Sequence, residues 1–279
     1  MTEIRNATEQ DWSILDPFFS RIYRPDHPVR NFEFWKWQFL HNGRSSSIIA
    51  CDGDRVVGHI GAYFREGYSW LINGYVDERF RGGGGLPIKL IDAARDVGPL
   101  AGTNVNAIAM NLYRRLGWIR YVDLQRYVAI NPSINDAARL CEPIKAEAEW
   151  TTPDGDHYWK QPGVSGFLLP GGSTAVNRLD VGGLRIIDLI DVDAAVSACW
   201  KAGVAWVDFV TSWNDPLCRE LERRDWKAGD KSPVPWLLDP IVPGSQAKIS
   251  YLSEHPMPRE FIVKRTFSDH GRVGSLPVS

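Results

Sequence analysis

Two short segments constrain the fold of this chain more than any others: RGGGG (Arg81 to Gly85) and NAIAMNLYRRLGW (Asn106 to Trp118). One predicted helix and one short strand separate them. Consecutive glycines after a strand and before a helix leave several backbone N–H groups free to converge on an anion, and the helix dipole adds positive potential there. The pattern is that of a phosphate cradle, with a pyrophosphate as the first hypothesis.

The flanking residues supply the elements. A strand around Glu3 to Ala7 leads to a helix starting near Thr8, with Asp11 as a capping-box partner and Trp12, Leu15, Phe18 and Phe19 at helical spacing. NFEFWKWQFL is a second, aromatic helix. Ser47 to Cys51, the turn DGDR and Val56 to Phe64 form a hairpin, and Trp70 to Val76 follows as a third strand. After the glycines, Pro87 suits the first helical turn, and Leu90, Ile91, Ala94 and Val97 share one face until Gly98 and Pro99 end the helix. Leu100 to Asn104 is a short strand, Asn106 the N-cap of the next helix, Gly117 its left-handed C′ residue, and Trp118 to Ile130 one long strand. Together these predict a mixed α/β sheet flanked by helices.

From Asn131 to about Gly183 the pattern is turn-rich, with a connecting helix over Ile134 to Ala148. Strands Leu184 to Ile190 and Ala205 to Val210 then alternate with helices Val192 to Lys201 and Pro216 to Arg224. Asn214 and Trp226 are spaced as Asn106 and Trp118 are, which points to an internal repeat. In that register Leu221 falls opposite Tyr113 and Asp225 opposite Gly117, and no glycine run precedes the second helix pair. The division expected is 1–132 and 133–279, the second part a degenerate copy of the first.

Composition excludes several classes. The 32 basic and 34 acidic residues nearly cancel and no long Lys/Arg run occurs, so nothing resembles a nucleic-acid footprint. The four cysteines are scattered without a CxxC pair, and the six histidines show no ligand-like spacing, so no metal site is expected. With no apolar run of membrane-spanning length and a polar start, MTEIRNATEQDW, a cytoplasmic protein without membrane contact is expected. The 12 tryptophans are expected mostly in the core.

YVDERFRGGGGLPIKLIDAA followed by NAIAMNLYRRLGW resembles the two signature segments of the GNAT superfamily of acyl-CoA dependent N-acyltransferases. Asn106, Ala109, Leu112, Tyr113, Gly117 and Trp118 carry the second segment. The first departs from the RGxGxG-like pattern, having four consecutive glycines and then Leu86 and Pro87. The resemblance implies acetyl-CoA or another acyl-CoA as co-substrate, with no metal. It implies a coenzyme site made by Val76, Arg81, Gly82, Gly83, Gly84, Gly85 and Asn106.

By the same resemblance an amine attacks the thioester directly, backbone near Val76 steadies the oxyanion, and Tyr113 protonates the leaving thiolate. Its phenol, with an ordinary value near 10, suits that role. His59 is the first candidate for the general base, followed by Asp77, Glu78, Asp26 and His27. The overall plan, including NFEFWKWQFL, resembles a bipartite subgroup of the superfamily in which an active copy is fused to a degenerate one, with good coverage over residues 1–130 and thin coverage after. This implies a catalytic domain over 1–132 and a degenerate one over 133–279 that completes the acceptor cleft. Several members acylate the amino group of nucleotide-linked amino sugars, which makes a sugar nucleotide the expected acceptor. Two other readings stay open: a non-catalytic acyl-CoA-binding protein, and an N-acyltransferase for another small-molecule or peptide amine.

Overall fold

A computed structural model describes the chain except residues 1, 42–43, 83–84, 104, 135–149, 152, 155–156, 178–182, 229–230, 232–248 and 268–279. The expected helix after Ile134, Cys141, and Gly83 and Gly84 of the glycine run lie outside the described residues.

The N-terminal region runs β1 (Glu3–Asn6), α1 (Trp12–Ile22), α2 (Phe32–Phe39), β2 (Leu40–His41), β3 (Arg44–Ser45), β4 (Ser47–Asp52), β5 (Arg55–Arg65) and β6 (Tyr68–Val76). It continues with α3 (Leu86–Ala94), β7 (Leu100–Thr103), α4 (Ala107–Arg115), β8 (Ile119–Arg120) and β9 (Gln125–Ile130). The remainder comprises β10 (Ser165–Leu168), β11 (Thr174–Asn177), β12 (Gly183–Asp188), α5 (Val192–Lys201), β13 (Trp206–Thr211), α6 (Leu217–Arg223), β14 (Lys227–Ala228) and β15 (Tyr251–Ser253).

Local chemistry explains the starts and stops. Thr8 and Asp11 form the expected capping box, which opens a short 3-10 turn before α1. Asn31 Oδ1 accepts from Phe34 N at 3.0 Å to start α2, as Asn106 Oδ1 does from Ala109 N at 2.9 Å to start α4. β4 and β5 are buried along almost their whole length because helices cover both faces. On one face α1 and α2 bring Leu15, Phe18, Phe19, Trp35 and Phe39 against Ile49, Val56 and Tyr63. On the other, Leu90 and Ile91 of α3 and Tyr113 of α4 meet Ile48, Val57, Ile60 and Val76. Each such large apolar side chain contributes about 1.5–3 kcal/mol on burial.

The two principal sheets exchange strands. The first has the order β1-β4-β5-β6-β7-β15-β8 and the second β10-β11-β12-β13-β9-β14. The run from Trp118 to Ile130, expected as one strand, is therefore two strands in different sheets. Backbone bonds from Tyr121 N to Tyr251 O (3.0 Å) and Leu124 N to Ile249 O (2.9 Å) hold the link against the returning chain. Leu124 enters a core shared by both halves, with Trp70 and Ala101 from the first sheet and Val210, Val263 and Phe267 from the other half. Beyond it, Arg126 of β9 donates from Nε to Asp208 Oδ2 of β13 at 2.8 Å, deep in the second sheet.

The repeat suggested by spacing has a backbone counterpart. Trp118 N donates to Tyr113 O at 3.0 Å and Trp226 N to Leu221 O at 3.0 Å, closing α4 and α6 with the same bond. Gly117 takes the left-handed turn residue in one copy (φ 82°) and Asp225 in the other (φ 63°). Asp tolerates that conformation better than most side chains, which is how the copy survives loss of its glycine.

Candidate active site

The site begins where β6 and β7 part. They pair in parallel at Ser69↔Leu100, Trp70↔Ala101 and Leu71↔Gly102, and pair no further. A bulge opposite His59–Gly61 turns the rest of β6, with Asn73 at φ 51°. Two buried side chains hold that strained residue: His59 donates from Nδ1 to Asn73 O at 2.9 Å, and Gln38 from Nε2 to Asn73 Oδ1 at 3.0 Å. The opening is a cavity of about 540 Å³ bounded by Gly74, Tyr75 and Val76 of β6, Pro87 and Leu90 of α3, and Asn106 with one face of α4.

Backbone polarity points into this opening. Asp77 N donates to Val57 O at 2.8 Å, so Gly58↔Val76 is the next, non-hydrogen-bonded pair of the antiparallel ladder. The Val76 N–H and C=O therefore face the side that β7 has left. The carbonyl accepts from Arg81 Nε at 2.8 Å, which leaves the N–H directed at the cleft. Arg81 is further fixed by the Tyr75 ring, 5.0 Å from its guanidinium, and by Glu78 at 3.7 Å. Gly82 is exposed and Gly85 is left-handed (φ 59°), preceding α3 without any side-chain cap. The first-turn amides of α3 thus stay available to an anion, except at Pro87, which has none.

Tyr113 lines the same cavity with 9% of its surface exposed, its ring 4.5 Å from that of Trp118. Burial pushes its phenol up to about 12, so it holds its proton throughout the neutral range. A thiol titrates at roughly 8.5, so the group is a hydrogen-bond donor to sulfur, less matched to full proton transfer than an ordinary phenol would be.

The candidate bases are placed elsewhere or already occupied. The His59 ring is fully buried, its Nε2 is 2.9 Å from Ser47 Oγ, Nδ1 is on Asn73, and burial pushes it down to about 4. Its residue borders the cavity along the strand, but one ring nitrogen is engaged by Ser47 and the other by Asn73 of the bulge, which leaves neither directed at an amine. Asp77 is paired with Arg21 and Arg55, and Asp26 with Arg24. His27 accepts from Val29 N at 3.2 Å, and burial, then Arg24, lower it to about 4. Glu78 lies on the surface beside Arg81. No carboxylate lines the cavity among the described residues, and none of its lining comes from beyond residue 115, so the expected second-half wall has no described residue in it. The sequence reading missed Ile108 and Asn111, although their stripe spacing on α4 was available to find them, and it took Arg115 for a surface charge within possible reach of a phosphate.

The second sheet repeats this arrangement and fills it. β12 and β13 pair in parallel from Gly183↔Trp206 to Ile186↔Phe209, joined by α5, and then part. Thr211 pairs with Gln125 on one side and bridges Lys264 on the other, so residues 263–265 enter the gap between β12 and β13. Ser212 N donates to Val263 O and Val263 N to Ser212 Oγ, each at 3.0 Å. Asn214, the counterpart of Asn106, donates from Nδ2 to Arg259 O and Phe261 O and so holds this segment. The N-terminus of α5 is capped by Asp191, whose Oδ1 accepts from Ala194 N at 3.0 Å, and Ser173 Oγ accepts from Ile190 N at 2.9 Å. A coenzyme would meet the chain's own carboxylate and backbone there.

An open parallel splay is thus bordered by a glycine-led helix on one side and a Tyr-bearing helix across it. Residues 12–118 match the acetyltransferase (GNAT) family model. The fold over the full length is also that of known structures. A putative acetyltransferase from Pyrococcus horikoshii aligns with 99% of this chain and 94% of its own at 12% identity and TM-score 0.54. A tandem GNAT protein from the clavulanic acid biosynthesis pathway aligns with 92% of this chain and 100% of its own at 10% identity and TM-score 0.53. A GCN5-related N-acetyltransferase from Kribbella flavida covers 78% of this chain and 66% of its own at 16% identity and TM-score 0.50. No curated protein matches the sequence. Among the described residues no helix is long and apolar enough to cross a membrane, and no cluster of side chains could hold a metal ion.

Proposed function

We propose that residues 1–132 bind acetyl-CoA or another acyl-CoA in the β6/β7 cleft and transfer its acyl group to a primary amine, while 133–279 form a degenerate copy that supports this domain. One observation carries the reading: the Val76 N–H, the Arg81 guanidinium and the Tyr113 phenol border a single cavity opened by the bulge at Asn73. In this scheme Arg81, Gly82 to Gly85 and the open end of α3 take the pyrophosphate, and Asn106 and Val76 hold the pantetheine arm.

The amine nitrogen attacks the thioester carbonyl, and the carbonyl oxygen gains charge near the Val76 N–H. The C–S bond then breaks, the sulfur accepts a hydrogen bond from Tyr113, and the amine's proton leaves through water to the thiolate or bulk. The second half acts through β15, whose pairing with both β7 and β8 braces the strand that departs from β6.

For the acceptor, the amino group of a nucleotide-linked amino sugar is the class we propose. Its support is the sequence likeness of residues 1–130 and the cationic, partly apolar cavity wall. Thiol release from acetyl-CoA should be assayed over nucleotide-linked amino sugars, simple amines and peptide amines. Turnover confined to the sugar nucleotides supports the proposed acceptor, turnover confined to other amines replaces it, and calorimetric binding without turnover on any amine makes the protein a holder of acyl-CoA.

A further inference from the structure

Two cations line the cavity, and the chain treats them differently. Arg81 is immobilised by Val76 O, the Tyr75 ring and Glu78. Arg115, in the last turn of α4, makes no hydrogen bond, ion pair or ring contact with any described residue. A guanidinium stays charged at every accessible pH and carries five N–H donors in a rigid fork suited to phosphate or carboxylate. Leaving it unpaired on a wall made largely of Ile60, Val76, Leu90, Ile108 and Leu112 gives a local positive potential with no carboxylate among the described lining residues to cancel it.

The neighbours of Arg115 on α4 suit the same ligand. Asn111 lies one turn earlier and lines the same cavity, so the two side chains share one face of α4. Ile108, one further turn back, is 76% exposed and continues the stripe as an apolar surface. The glycine loop and the N-terminal turn of α3 already supply donors for one anionic group, and they belong to the β6–β7 connection, not to α4. A cation on α4 calls for a second.

We propose that Arg115, with Asn111 beside it, forms an anion subsite distinct from the glycine loop, which takes a phosphate monoester or carboxylate carried by the reactants. The inference rests on the coenzyme reading of the cavity. The group has two sources, the ribose phosphate of coenzyme A or an anionic substituent of the amine, and binding measurements separate them.

Wild type, Arg115→Gln and Arg115→Lys should be titrated calorimetrically with acetyl-CoA and with its 3′-dephospho form. The coenzyme-loaded proteins should then be titrated with phosphoethanolamine and with ethanolamine. If the coenzyme supplies the anion, Arg115→Gln weakens acetyl-CoA about tenfold, leaves the dephospho form unmoved, and Arg115→Lys falls between. If the amine supplies it, Arg115→Gln weakens phosphoethanolamine about tenfold and leaves ethanolamine unmoved. Wild type binding acetyl-CoA with Arg115→Gln indistinguishable from it on every ligand overturns the subsite alone. Wild type failing to bind either form of the coenzyme overturns the coenzyme reading and the subsite with it. Arg115 is exposed and unpaired, so both variants should fold, which circular dichroism verifies.

Discussion

The ammonium of Lys264 lies 2.6 Å from Oδ1 of Asp188, in the gap between the parallel strands β12 and β13 of the second sheet, the counterpart of the gap between β6 and β7 that is the cavity in the first. The same supersecondary unit is thus open in one copy and closed by the chain's own C-terminal segment in the other. A helix end that can receive a phosphate in the first copy is occupied by the Asp191 carboxylate in the second.

One coenzyme should therefore bind per chain. Calorimetric titration with acetyl-CoA should give a single site, and it should vanish on replacing Arg81 and Tyr113 together. Two equivalent sites would mean that residues 263–265 leave their cleft readily.

Asp208 anchors that segment. It accepts from Arg126 Nε at 2.8 Å and from Arg265 Nη2 at 2.9 Å, and all three residues are buried. Burial alone would raise its carboxyl, but Arg265 and Arg126 outweigh burial and hold it well below the usual range. Asp208→Ala leaves guanidiniums buried without this counter-charge and should cost about 3–5 kcal/mol in urea unfolding. A loss under about 1 kcal/mol would show that exposed-type screening reaches the pair.

Replacing Tyr113 with Phe keeps the ring against Trp118 and removes only the hydroxyl. Turnover should fall by about one to three orders of magnitude, with acetyl-CoA affinity nearly unchanged. An unaltered kcat would remove the phenol from the mechanism.

The pH profile follows from which groups titrate. Tyr113 keeps its proton up to about 12, and His59 is neutral above about 4, so neither changes state across the neutral range. Since no carboxylate lines the cavity among the described residues, kcat/KM should rise about tenfold per pH unit until the acceptor amine has lost its proton. The break should move with the pKa of the amine used. A break near pH 6–7 that ignores the amine would reveal an enzyme base.

Acid should weaken the fold before it touches the chemistry. Burial lowers His59 to about 4 from an ordinary 6.5, so the unfolded chain takes up a proton that the folded chain refuses. Stability from this group is complete above pH 6.5 and declines as pH falls toward 4, by about 3 kcal/mol. His27, likewise lowered to about 4 by burial, acts in the same direction. Urea midpoints measured from pH 8 to 4 should fall across this window. Equal midpoints at pH 7 and 4.5 would mean that His59 is protonated in the folded state.

The local elements, α4 among them, were legible in the sequence because their causes are local. The Asn106 cap, the Gly117 turn and the apolar face of α3 depend on residues within a few positions of one another. His59 shows where that reasoning ends. A histidine on a strand beside a cleft looks like a base, and only its contacts with Ser47 and Asn73, from two other strands, make it a brace. Arg115 shows the reverse, since a surface-like cation becomes part of the cavity only once α4 is set against β6.

By itself the sequence determined the succession of strands and helices, the glycine-led and Tyr-bearing helices of the first copy, and the spacing of its echo. Which sheet each strand joins was decided by tertiary structure. Residues 118–130 have an apolar pattern that fits either sheet, and their division rests on pairing with β15 and β13, far along the chain. Whether a parallel splay is open or filled is likewise set by what the rest of the chain can bring to it. In the first copy a bulge held by His59 and Gln38 keeps it open, and in the second Asn214, Asp188 and Asp208 draw residues 259–265 in to close it.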